Sequence, residues 1–337
     1  MILFIIIAVL FLIMIAFPFV LANSTREKNN THSLVVKNDN VRDPRYFAKA
    51  FRELIEKALA SYDGSGEIML SKREKLVTPP LPEGTIDGVV FVNSSFAPTE
   101  AHNFEKEIYC RADMSLPAGT VMRAAACGGA LKLGENCRVI RWSDAEAAAE
   151  AMRGCELGIS FSSAKKLIIA ADCSFRRMYS PEIFIGAERS GKNPAELPPC
   201  EEIRRDIEET KDFEEIEGSV VCMHDFVVGE GSLINGSLKS RKRIHVKRGA
   251  HIAGNLIADG DIVVEDDVFI GGVVFSQRRV FLGPDCQVGR RGRIKSVVAK
   301  EGVTMAEGVL VFGYIGGEQD GRTIAANDYF GFISDKF

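Results

Sequence analysis

The sequence predicts a mainly β protein, a parallel β-helix wound from coils of about 18 residues, and three observations carry that prediction. First, Phe226, Ile244, Ile262 and Val280 recur at one fixed step, and the series Val228, Val246, Val264, Leu282 and Ile234, Ile252, Ile270, Val288 repeat it in phase. Second, apolar residues alternate inside each unit, the two-residue period of half-buried strands. Third, Gly236, Gly254 and Gly272 follow at the same step, as corners needing positive φ or close backbone approach would require. No unit is long enough to bury its own apolar side, whereas stacked coils bury a continuous core. Inward Val, Ile and Leu then sit on their equivalents one coil later, and outward positions such as Lys247, Arg248, Glu265, Asp266 and Gln287 vary.

Composition narrows the class further. The chain has 337 residues, 46% hydrophobic and 26% charged, which argues against disorder and against a polytopic membrane protein. A net charge of -4 gives no whole-chain reason to expect nucleic acid as a partner. The cysteines (110, 127, 137, 155, 173, 200, 222, 286) form no CxxC pair, so neither a zinc ribbon nor a thioredoxin motif is available. Cys137, Cys155 and Cys173 keep the repeat step, with Thr120 one position off it. They read as small buried groups at the place taken later by Ser232, Ala250 and Val268.

In chain order, residues 1–22 carry no charge, and Ile2, Leu3, Phe4, Leu10, Phe11 and Phe17 belong to an apolar run of bilayer length. They predict an uncleaved single-pass transmembrane anchor. Arg26, Lys28, Lys37 and Arg42 behind it place the bulk of the chain in the cytoplasm. The rival is a signal peptide cut at Val20-x-Ala22, which would export the domain. Residues 23–80 read as a polar tether and an amphipathic helix over 44–61, opened by Asp43-Pro44, with Phe47, Phe51, Leu54, Ile55, Ala58 and Leu59 at helical spacing. The helix is expected on the domain's end; the alternative is a helix lying on the membrane or against a second subunit.

A first β-helix block spans 85–186, where LKLGENCRV (131–139) matches VFLGPDCQV (280–288). Within it, Ser143 and Glu146 form a capping-box pattern in the Ala-rich stretch 143–154, predicting a short helix in place of part of a coil. Residues 187–217, acidic and broken by Pro194, Pro198 and Pro199, lose the phase and read as a charged helical insertion. The second block covers 218–316, and the aromatic tail 317–337 is expected to cap its last coil.

Residues 227–276, VVGEGSLINGSLKSRKRIHVKRGAHIAGNLIADGDIVVEDDVFIGGVVFS, resemble the bactofilins, the polymer-forming cytoskeletal proteins of bacteria. The resemblance implies a three-sided parallel β-helix, end-to-end self-assembly without nucleotide, attachment to the inner membrane by a hydrophobic N-terminal segment, and a scaffold role for envelope or cell-shape proteins. It implies no catalysis, no cofactor and no small-molecule substrate. Core positions of the terminal coils, Val303, Met305 and Val309, are the expected assembly contacts.

An enzyme stands as the alternative, because a coil of this length equals three hexapeptides, the repeat of left-handed β-helix acyltransferases and gamma-class carbonic anhydrases. That chemistry needs a histidine base or three histidine ligands. The chain has His32, His102, His224, His245 and His251, and the last two alternate outward next to inward Ile244, Val246 and Ile252. A capped monomeric β-helix acting as a binding module is the third reading. Finally, Arg241, Lys242, Arg243 and Arg278, Arg279 lie two periods apart and therefore on one corner, either solvated or forming a basic edge that faces anionic lipid.

Overall fold

A computed structural model describes residues 43–62, 67–71, 74–189, 191, 213–216 and 218–334, with 213–216 as backbone only. The anchor expected over 1–22 lies outside the described residues, and among these no helix is long and apolar enough to cross a membrane. Residues from Pro44 onward form one compact unit. It is a mainly β solenoid of about 12 turns.

Each full coil of the second block contributes three short strands, for example Ile244–Val246, His251–Ile252 and Leu256–Ala258. Parallel pairing runs Phe226↔Ile244↔Ile262↔Val280, with Leu233↔His251↔Phe269↔Gln287 and Leu238↔Leu256↔Val274 on the other two sides. The predicted inward residues Ile244, Val246, Ile252, Ile262, Val264, Ile270, Val280, Leu282 and Val288 are fully buried, and Val228 nearly so. Ile234 is half-buried because it belongs to the second block's outermost coil.

Gly236, Gly254 and Gly272 are corner residues of the close-approach kind. A Cβ on Gly272 would stand 2.3 Å from the Gly254 carbonyl oxygen, and one on Gly254 2.4 Å from that of Gly236. Positive φ belongs to a different column, Gly231, Gly249, Asp267 and Asp285, and in the first block to Gly119, Asn136, Gly154 and Asp172. Asn and Asp tolerate that left-handed conformation better than other side chains, so the column was written in the sequence as Gly, Asn or Asp at the repeat step.

The first block is less regular. Val121↔Arg138 pairs across a coil one residue short, which brings Thr120 into the buried column of Cys137. The helix expected over 143–154 is not formed: the chain runs as strands Arg138–Ala145 and Ala148–Ala151. Ala149 and Ala151 point inward between Leu131, Leu133 and Leu167, Ile169 of the neighbouring coils. A helix this short is marginal on its own, whereas a strand here gains ladder hydrogen bonds on both edges. Small Ala between large Leu fills the cross-section without crowding.

The charged insertion expected over 187–217 lies largely outside the described residues. Of its described pieces, Phe213–Ile216 is a strand antiparallel to Ser219–Cys222.

The two blocks meet at their C-terminal ends. The long strand Ser174–Ile185, the last coil of the first block, pairs antiparallel with Leu310–Ile324, the last coil of the second. The register Phe175↔Gly321, Met178↔Ile315 and Ile183↔Val311 carries all three sides of the solenoid across the junction. One hydrophobic core runs through it from Ile86 to Ile315. Thr323 Oγ1 accepts from the Cys173 amide at 2.9 Å and donates to the Ala170 carbonyl at 2.7 Å. Val303 and Met305 are covered by Gly321 and Thr323 of the last coil, Val309 meets Ile185 of the first block, and the tail 317–337 is not an end plug. Its first part completes the last coil.

Helices lie on the outside. α1 (Tyr46–Ala60) crosses the flank of the first block, with Ile55 buried against Leu76, Val89, Phe91, Tyr109 and Ala126. The expected end-on packing is thus replaced by lateral packing, because these strand residues point outward and offer an apolar seat. α2 (Tyr329–Ser334) seats Tyr329 and Ile333 on Val263 and Phe281 of the second block, and the Tyr329 hydroxyl donates to the Val264 carbonyl at 2.6 Å.

Candidate functional site

The corner predicted to be a basic edge exists as a geometric object. Residues 240–243, 258–261 and 276–279 stack on successive coils, since Arg243 N donates to Asp225 Oδ1 and Arg279 N to Asp261 Oδ1, each at 3.1 Å. Its four arginines are paired, while Lys242 is exposed. Arg243 pairs with Asp225 at 2.6 Å, Arg241 with Asp259 at 3.3 Å, and Arg278 and Arg279 with Glu301 at 3.3 Å each. The hydrogen bonds from Arg243 hold the Asp225 carboxyl below its ordinary range. Acid and base alternate up the corner, and all four arginines are committed to neighbouring coils. Asp225, Asp259 and Asp261 stand one period from Arg243, Arg241 and Arg279, so the neutralisation was legible once the period was applied to acids as well as bases.

Beyond the junction the same corner continues into the first block. Residues 313–316 and 321–322 sit opposite 177–180 and 174–175, so the corner near 317–320 faces Arg176. Stacked along it are Ile140 and Arg141, Gly158 and Ile159, then Arg176 and Arg177, tied by Ile159 N to Arg141 O and Arg176 N to Gly158 O. Arg141, Arg176 and Arg177 are exposed and have no acidic partner among the described residues, while Ile140 and Ile159 are 51% and 44% exposed. Arg141, Ile159 and Arg177 keep the 18-residue step, a signal in the sequence that the first block's apolar matches overshadowed.

Trp142, beside this corner, stacks edge-on against Phe51 of α1 at 5.6 Å. The helix is fastened by ions as well. Asp144 is buried and accepts from Arg45 Nε at 2.7 Å, Arg52 Nη2 at 2.6 Å and Ser162 Oγ at 2.6 Å, and Glu146 takes Arg52 Nη1 at 2.7 Å. Burial works against the Arg45 charge, but Asp144 and then Glu146 more than offset it and raise its pKa.

The histidines predicted to face outward do so. His245 meets Glu265 at 2.9 Å and His251 lies edge-on to Phe269 at 4.8 Å. The cysteines at the repeat position are buried thiols: Cys137, Cys155 and Cys173 donate to the carbonyls of Pro117, Gly134 and Met152 at 3.1–3.2 Å. A hydrogen bond with Cys155 and then burial push the Cys137 thiol well up. Cys200 lies outside the described residues. Among the described residues no group of three or more His, Cys, Asp or Glu is placed to share a metal ion.

The outer ends differ. Val77 and Leu81 pack onto the core at the first block's outer end, and Val220 and Ile234 are half-buried at that of the second. The strands Phe226–Val228 and Leu233–Ile234 pair on one edge only among the described strands. Comparison of this chain with family models, curated proteins and solved structures returns no match.

Proposed function

We propose that this chain is a membrane-anchored, bactofilin-like scaffold facing the cytoplasm, without catalytic activity, that self-associates through its β-helix and organises envelope or cell-shape proteins. The observation that carries the reading is the junction: one solenoid end seals another by antiparallel pairing on all three sides, over a core with no break. The chain thus contains, within itself, the kind of end contact that a self-associating solenoid uses. Because both C-terminal ends are consumed there, assembly between copies falls to the outer ends, above all that of the second block, where Val220 and Ile234 and two single-sided strand edges remain. Unpaired strand edges are templates for further pairing. The apolar run 1–22 supplies the membrane attachment in this reading.

Negative-stain electron microscopy with light scattering, on protein purified without nucleotide, tests it. End-on dimers or filaments, dispersed by Ile234→Glu, are the expected result. Monodisperse monomers would remove self-association, and discrete trimers with acyltransferase activity would replace the scaffold with the hexapeptide enzyme.

A further inference from the structure

The corner ridge is one continuous structural line with two electrostatic halves. In the second block each arginine of the ridge faces an acid one coil away. In the first block Arg141, Arg176 and Arg177 make no ion pair among the described residues, the acids on the facing corner being Glu318 and Asp320, of which Asp320 pairs with Arg322, and isoleucines take the intervening positions. We propose that this half of the ridge, Ile140, Arg141, Ile159, Arg176 and Arg177 beside Trp142, docks onto the anionic headgroups of a bilayer and lays the solenoid lengthwise on the membrane. The proposal rests on the membrane-anchored reading above and adds to it a defined lipid-facing side.

Three observations converge on this surface. Arginines in no ion pair keep more of their attraction for negative surface charge than the paired arginines of the other half. Exposed Ile140 and Ile159 gain nothing from phosphate alone, as in a nucleic acid, but gain from the apolar layer just beneath lipid headgroups. The flank of α1 extends the apolar area: Phe51 touches Trp142, and Phe47 and Leu54, on the same side of the helix four residues before and three after it, are 66% and 51% exposed.

Trp142 is the chain's single tryptophan, so its fluorescence reports on the ridge alone. The full chain is reconstituted from detergent into vesicles of phosphatidylcholine with brominated acyl chains, with or without phosphatidylglycerol. Quenching of Trp142 that requires phosphatidylglycerol is the expected result. The triple variant Arg141→Gln/Arg176→Gln/Arg177→Gln should lower ridge docking about a hundredfold. The pair Ile140→Ser/Ile159→Ser should also abolish quenching, and it decides the matter should the triple variant lose its β-sheet circular dichroism. Equal quenching with and without anionic lipid, or quenching unchanged in a folded triple or isoleucine variant, overturns the proposal. The two readings fail separately. A chain that floats with neutral vesicles while Trp142 stays unquenched in anionic ones keeps its anchor and loses the ridge. A chain that fails to float with neutral vesicles, yet shows lipid-dependent quenching, loses the anchor and keeps the ridge.

Discussion

Ile252 and Ile270 are inaccessible to solvent and sit between identical or near-identical neighbours on the coils above and below. A lysine at either position would bring a charge into a space with no partner, a cost of several kcal/mol at least. Ile252→Lys should therefore abolish the cooperative melt followed by circular dichroism, and a variant melting like the parent would reverse the inward assignment. Ile270→Ala is gentler and should lower stability by about 2–5 kcal/mol through loss of burial and the residual cavity. Tyr109 gives a pH signature. Burial, then its hydrogen bond to Glu56 Oε1 at 2.9 Å, pushes the phenol up to about 12 from 10.0. The folded state thus favours the protonated phenol, and that stabilisation is whole below about pH 10 and is lost as pH rises towards about 12. Tyr314 and Tyr329 are raised by burial as well, so the parent protein should lose stability throughout this range. Urea midpoints across about pH 9–12 should fall less steeply for Tyr109→Phe, and identical slopes would exclude this assignment.

Among the elements, α1 shows how a lateral helix is chosen. Its periodicity marks it as amphipathic, but the seat is supplied by outward strand residues Phe91, Tyr109 and Ala126, whose nearness to one another follows only from stacking. Asp144 then determines where along the flank the helix comes to rest, taking both Arg45 and Arg52. Removing one partner from a buried ion cluster leaves uncompensated charge, so Asp144→Ala should cost about 3–5 kcal/mol. Hydrogen exchange should show amides of Tyr46–Ala60 losing protection before those of the second block. Uniform loss along the chain would mean that the clamp is not local to the helix. Glu146, read from its spacing as a capping residue, serves this clamp instead. Its backbone belongs to a corner between strands, and its carboxylate is free to reach Arg45 and Arg52.

For the molecule as a whole, the antiparallel junction turns two short solenoids into one. Phe175 lies over Gly321, whose Cβ, were there one, would stand 2.4 Å from the ring. Close packing of this kind at the centre should make unfolding of residues 44–337 a single transition despite two repeat blocks. Placing a charge at the centre, as in Ile315→Arg, should uncouple them. Differential scanning calorimetry would then resolve two transitions in the variant and one in the parent; two in both would mean that the junction transmits little stability. The last coil covers Val303 and Met305 and the junction covers Val309, so none of the three is available for contacts between copies, and any end-to-end assembly falls to the outer ends.

The sequence by itself determined the coil length, the inward residues of the second block, the corner glycines and the existence of α1. These depend on which side chains recur at one step, and recurrence is visible along a chain. It also held the alternating acids of the ridge and the Gly, Asn or Asp column, both readable from the same period. Only the tertiary structure decided that the Ala-rich stretch is strand, since ladder hydrogen bonds from two neighbouring coils outweigh a weak local helix preference. Only it decided that the blocks meet tail to tail, because an antiparallel contact between distant strands leaves no periodic trace. For the same reason it alone joined the ridge of the second block to that of the first, since that continuity runs through the antiparallel junction.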